Sequence, residues 1–114
     1  MLFDIIESYT NCDFVQIPEC LNLAGVTIGD RQSVIAKLNA QTPIFLKRDY
    51  SNQYDKNAIA VNAIGGIQLG WIPRQYAEIL APEMDAGVNW HIEIDRVVGN
   101  EETLRGLSVK LFHS

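Results

Sequence analysis

The sequence predicts a mainly β domain of about six short strands and two helices, curved into a small sheet or barrel. Three observations lead there. The chain has 114 residues, the usual size of one domain. Apolar residues alternate with polar ones in several short runs, punctuated by Gly and Pro. Hydrophobic residues make up 47% and charged residues 20%, a composition that can build one core.

The elements follow in chain order. Leu2, Ile5, Ile6 and Tyr9 stand at helical spacing, which suggests a short amphipathic helix. Asp13 to Ile17 reads as a short strand closed by Pro18, and Asn22 to Ile28 as another. Gly29-Asp30 breaks it, and Asp30 is placed to cap a helix from Arg31 to Asn39 with Val34, Ile35 and Leu38 as its apolar stripe. Ile44 to Arg48 is a strand opened by Pro43, followed by a polar loop from Asp49 to Lys56. Asn57 to Ala63 and Ile67 to Ile72 form strands around a Gly65-Gly66 turn. Pro73 suits the first position of a helix whose inner side is Ala77, Leu80 and Ala81. Pro82 is expected to end that helix or restart a turn, and Gly87 is the final stop. Val88, Trp90, Ile92 and Ile94 then share one strand face, opposite Asn89, His91, Glu93 and Asp95. After a loop at Gly99 to Glu102, Leu107, Val109 and Leu111 repeat the pattern.

Charge divides the chain in two. The net charge is −5, and Asp4, Glu7, Asp13 and Glu19 supply most of it without a single base before residue 23. Residues 1–21 are read as an acidic N-terminal extension and 22–114 as the folded domain. The extension suggests a second function class, a protein-interaction adaptor. An acidic total argues against nonspecific duplex binding, which needs excess Lys and Arg, but leaves room for a small local site. The N-terminus lacks the basic start of a signal peptide, and no apolar run is long enough to span a bilayer, so a soluble, cytoplasmic protein without membrane contact is expected. Cys12 and Cys20 have neither redox nor zinc spacing and fit a reducing compartment.

Catalytic chemistry finds little support. Gly65, Gly66 and Gly70 match no phosphate loop. The loop Asp49 to Asp55 is oxygen-rich, yet it lacks the glycine and the terminal glutamate of a calcium loop. No serine or cysteine sits in a nucleophile motif, and Glu93 and Asp95 read as solvated acids. A binding protein without cofactor or metal, and not an enzyme, is expected.

The informative stretch is Asn52-Gln53-Tyr54-Asp55-Lys56-Asn57-Ala58-Ile59, which joins a loop to a strand. Downstream, Gly70-Trp71-Ile72-Pro73-Arg74 places an aromatic and a base at a helix N-terminus, a setting suited to anions. With Gly25-Val26, Asp30-Arg31-Gln32, Phe45-Leu46-Lys47-Arg48, Ala77 and Asp85-x-Gly87, these motifs make residues 22–112 resemble the HIRAN domain family.

The resemblance implies an OB-like six-stranded barrel that grips the 3′ end of single-stranded DNA, in settings of DNA repair or replication-fork processing. It implies a helicase or nuclease as a partner in trans. It also places Asn52, Tyr54 and Asp55 at the terminal nucleotide and Arg74 near a backbone phosphate. The residue chemistry is compatible. Asp55 can accept a hydrogen bond from a 3′-hydroxyl, Tyr54 can stack on a base, and Arg74 or Lys56 can hold phosphate oxygens. Thr27-Ile28 stand where eukaryotic members carry an Arg-Tyr pair, and an aromatic near Val97-Val98 is absent; Trp71 offers a substitute stacking surface. Structural roles for the same residues stay open: Asx turns at Asp55 and Asn57, Tyr54 packed on the barrel edge, Trp71 in the core and Arg74 as a surface base.

Overall fold

The computed structural model describes residues 17–113. The N-terminal helix, the greater part of the Asp13–Ile17 strand and Cys12 lie outside the described residues. The described chain runs β1 (Cys20–Asn22), α1 (Arg31–Ile35), β2 (Ile44–Arg48), β3 (Ile59–Ala63), β4 (Gln68–Trp71), α2 (Arg74–Asp85), β5 (Trp90–Asn100) and β6 (Leu104–His113). The strands form two antiparallel three-stranded sheets, ordered β1-β6-β5 and β2-β3-β4.

The apolar pattern explains what lies between them. Ile59 and Val61 of β3, Leu69 of β4, Ala77, Leu80 and Ala81 of α2, and Leu107 and Val109 of β6 are all fully buried. Ile92 and Ile94 bring the inner face of β5 to the same core, as the alternation predicts. Ile35 of α1 is fully buried, with Val34 and Leu38 part-buried beside the core.

One short segment ties the sheets together. Leu23 donates its N–H to the Leu107 carbonyl, and Ala24 then exchanges two 2.9 Å backbone hydrogen bonds with Trp71. Gly70 makes this crossing possible. A Cβ there would lie 2.6 Å from the Ala24 carbonyl oxygen, so a side chain cannot be added without moving backbone.

Barrel closure is not seen in the hydrogen bonding, and three local expectations are corrected. The sheets are linked by the Ala24–Trp71 bridge, and β2 packs on β5 without a shared ladder among the described residues; the hydrogen bonding stops short of the closed barrel that the resemblance implies. The expected strand through Ile28 ends early, because Gly25 turns at φ +70 and its carbonyl accepts from Arg31 Nη1 at 2.7 Å. α1 stops at Ile35, where bonds from Lys37 to Val34 and Leu38 to Ile35 tighten the chain. Asp30 gives no side-chain cap; at φ −89 and ψ 11 its backbone carbonyl, not its carboxylate, serves the turn. An N-cap carboxylate reaches the first amides from an extended backbone, which Asp30 does not have.

α2 runs through Pro82 to Asp85, and Pro73 stands one position before its first residue. Its end is a Schellman motif: Val88 N–H donates to the Glu83 carbonyl and Gly87 N–H to the Met84 carbonyl, with Gly87 at φ +99. No helix among the described residues is long and apolar enough to cross a membrane.

Candidate functional site

The loop between β2 and β3 is shaped by its own side chains. Asn52 Oδ1 accepts from the N–H groups of Tyr54 at 2.8 Å and Asp55 at 2.9 Å. Asp55 Oδ1 accepts from the Asn57 N–H at 2.9 Å. These Asx-type bonds are why the short amides and acids stand where they do. They also turn the segment so that Tyr54 projects outward. The residue is 90% exposed, which rules out packing on the sheet edge.

Across from the loop, β4 delivers Trp71. The residue is half-buried and outside the core cluster. Its indole lies against Gly25, where a Cβ would come within 3.0 Å of Cδ1. Arg74 follows as the first residue of α2, exposed and in no salt bridge among the described residues. Among the described residues no side chain caps this helix and no acid sits in its first turn, so its positive end is not neutralised from within.

Together these residues enclose a cleft of ≈ 230 Å³, lined by Asn52, Tyr54, Asp55, Trp71 and Arg74 over a floor of Ala24, Ala58 and Ile72. Three separate stretches of sequence therefore meet in one place. Lys56, the other residue singled out from sequence, is exposed and does not line the cleft. The arrangement offers an aromatic face, a carboxylate with its second oxygen uncommitted among the described residues, and an exposed cation. Such a set can hold a nucleoside hydroxyl, a base and a phosphate together.

The sequence reading missed what holds the loop. Arg48, whose side chain is only 8% exposed, grips Asp85 through Nε at 3.0 Å and Nη2 at 3.1 Å. Its Nη1 donates to the Ala58 carbonyl at 2.7 Å and Nη2 also to the Lys56 carbonyl at 3.1 Å. Tyr50 closes the cluster: its hydroxyl donates to Asp85 at 2.7 Å, and its ring lies 4.5 Å from the guanidinium carbon. The loop is thus fastened at both of its sides to the end of α2. Arg48 and Asp85 belong to motifs visible in the sequence, but they are 37 residues apart and only the fold pairs them.

This cluster sets a pH dependence. The Arg48 guanidinium, then the Tyr50 hydroxyl, hold the Asp85 carboxyl below the usual carboxylate range. The hydrogen bond to Asp85 pushes the Tyr50 phenol above its ordinary value. A depressed acid contributes stability above its unfolded value, roughly 3.9, and loses it as pH falls through the folded value. The raised phenol contributes below its unfolded value and loses it as pH climbs through the folded one. Denaturant stability is therefore expected to fall at both extremes. Asp85→Asn should flatten the acid limb, and urea titrations across pH will read both.

Comparison with known proteins agrees with this anatomy. The HIRAN domain family model matches residues 21–111. Helicase-like transcription factor of Homo sapiens is 44% identical over 48 residues, which cover 42% of this chain and 5% of that protein. Its Oryctolagus cuniculus counterpart is 42% identical over 48 residues, again 5% of its length. The chain thus matches a small fraction of these curated relatives. Among solved structures, the HIRAN domain of human HLTF aligns with a TM-score of 0.62 at 25% identity, covering 82% of this chain and 72% of that one. A crystal structure of a protein from Lactobacillus plantarum aligns with a TM-score of 0.58 at 25% identity, covering 84% and 94%. With the family match spanning both the cleft and its Arg48–Asp85 support, the chain belongs to the HIRAN domain family.

Proposed function

We propose that this domain binds single-stranded DNA and seats a free 3′ end in the Tyr54–Asp55–Trp71–Arg74 cleft. The observation that carries the reading is the convergence of those residues, from the β2–β3 loop and from the β4–α2 junction, on one ≈ 230 Å³ cleft. Tyr54 stacks on the terminal base, with Trp71 as the facing wall. Asp55 uses one oxygen to hold the loop and the other to accept from the 3′-hydroxyl. A 3′-phosphate would bring like charge against that carboxylate. Arg74 and the uncapped end of α2 take the phosphate before the terminal sugar. Asn52 shapes the loop through Oδ1, leaving its NH₂ to donate to the nucleotide.

In this reading the domain holds its ligand and performs no chemistry on it, and it presents DNA ends in repair or fork processing to a helicase or nuclease acting in trans. The OB-like barrel belongs to the same reading, as the curved platform behind the cleft. Asp55→Asn separates its two roles. The amide oxygen still accepts from Asn57, but the charge is gone. Its expected effect is a smaller preference for 3′-hydroxyl over 3′-phosphate strands, with an unchanged melting midpoint. An undiminished preference would remove Asp55 from end recognition.

A further inference from the structure

The outer face of the β2-β3-β4 sheet continues from the cleft. Residues in register across antiparallel strands share a face. Lys47, Ala60 and Trp71 form one row, and Phe45, Asn62 and Gln68 the next. A register shift between Val61 and Asn62 brings Gln68 opposite Asn62 while Leu69 turns into the core. Ala60 is short, so the rows frame a depression of ≈ 260 Å³ bounded by Lys47, Asn62, Gln68 and Trp71. Trp71 is also a wall of the end cleft, so one indole separates the two depressions.

The depression carries unspent polar capacity. Asn62 Oδ1 is buried and accepts no hydrogen bond among the described residues, and a buried acceptor of this kind wants a donor. Gln68 makes one long bond, 3.3 Å from Nε2 to the Gly70 carbonyl, which leaves its oxygen as an acceptor. Lys47 is exposed and in no salt bridge among the described residues. Asp49, the acid on the rim, has Oδ1 taken by the Ser51 N–H and hydroxyl. Phe45 is 51% exposed at the far edge.

We infer that this sheet face is a second subsite, taking the nucleotides immediately 5′ of an end held in the cleft. The inference rests on the function proposed above. A flat floor at Ala60, an aromatic at each end, two amides and one free cation suit a planar base with N–H donors and a trailing phosphate. The shared Trp71 gives a strand a continuous path from one depression to the other. A base laid over Ala60 brings its amino or imino N–H to Asn62, and Lys47 meets the backbone.

The test compares a dinucleotide with an octanucleotide, both with free 3′-hydroxyls, by fluorescence anisotropy over a salt series. Lys47→Ala should weaken octanucleotide binding about threefold or more and flatten its log–log salt slope by about 0.7, the single-strand value for one phosphate. Dinucleotide binding should not change. Lys47 is exposed, so a melting midpoint matching wild type will separate binding from folding. An unchanged octanucleotide affinity and slope would overturn the inference, as would equal losses at both lengths, which would put Lys47 at the end itself. Tyr54→Ala distinguishes the two proposals. If it weakens the dinucleotide while Lys47→Ala affects neither length, the end cleft stands and the sheet-face subsite falls. If the wild-type protein binds neither oligonucleotide, both fall.

Discussion

Arg48→Ala is expected to lower the stability of this domain by about 2–3 kcal/mol and to weaken single-strand binding although Arg48 never touches the cleft. Removing the guanidinium takes away four hydrogen bonds; it leaves the Lys56 carbonyl without that donor, the Ala58 carbonyl with only the Asp49 N–H, and the Asp85 carboxylate with only the Tyr50 hydroxyl. Breaking a fully buried ion pair costs roughly 3–5 kcal/mol. The loss here falls below that range, because Asp85 is 40% exposed and water can replace part of what it loses. The binding defect follows from position. Lys56 and Ala58 immediately follow Tyr54-Asp55 in the same loop, so releasing them loosens both. Urea denaturation and anisotropy on the same preparation will test this. Lost stability with wild-type affinity would show that the loop holds its shape without Arg48. Arg48→Lys should rescue little, since an ammonium cannot reproduce the two-pronged grip on Asp85 while reaching both carbonyls.

Tyr54→Ala is expected to do the reverse, leaving stability within about 0.5 kcal/mol of wild type while reducing affinity for a free-ended strand. Tyr54 is 90% exposed, so among the described residues the folded state gives up little contact. Base–aromatic stacking is worth roughly 1–3 kcal/mol by alanine substitution, which corresponds to roughly 5- to 150-fold in the dissociation constant. Tyr54→Phe should retain most of that affinity, because stacking uses the ring and not the hydroxyl. Matching affinities for wild type and Tyr54→Ala would exclude Tyr54 as the base platform.

Much of the architecture could be read from the sequence, because the strands alternate cleanly. The bounds of β2 appear as expected, and in β5 Ile92 and Ile94 are buried while His91 and Glu93 are exposed, as the alternation predicts. The Gly65-Gly66 turn is equally plain, since both residues adopt positive φ and glycine does this without strain. The errors fall where tertiary contacts overrule local preference. Nothing local says that Gly25 will turn the chain to receive Arg31, or that α1 will tighten after Ile35. Pro82 reads as a helix stop, yet α2 continues past it to the Gly87 motif.

The site shows the same division. Asn52, Tyr54 and Asp55 are neighbours in sequence and their Asx pattern is local, so the sequence alone shows them as one group. Trp71 and Arg74 read from sequence as an aromatic and a base at a helix N-terminus, and the cleft is the tertiary fact that unites them with the loop. The turn role of Asp55 uses one carboxylate oxygen and leaves the other uncommitted among the described residues, so it is compatible with the ligand role proposed for it. Lys56 reads from sequence as a base able to hold phosphate oxygens, but it does not line the cleft, and its backbone carbonyl is what takes part in the local architecture. The Arg48–Tyr50–Asp85 cluster escaped because its members come from the two ends of the described loop-to-helix stretch and no spacing rule pairs them.

The most direct measurement is the anisotropy-detected affinity of the intact protein for one short single strand ending in a 3′-hydroxyl, set against the same strand ending in a 3′-phosphate. With the Asp55 carboxylate at the end of the cleft, the free hydroxyl should bind tighter by at least about tenfold, equivalent to about 1.4 kcal/mol. Equal affinities, or tighter binding of the phosphorylated strand, would contradict end recognition by this cleft.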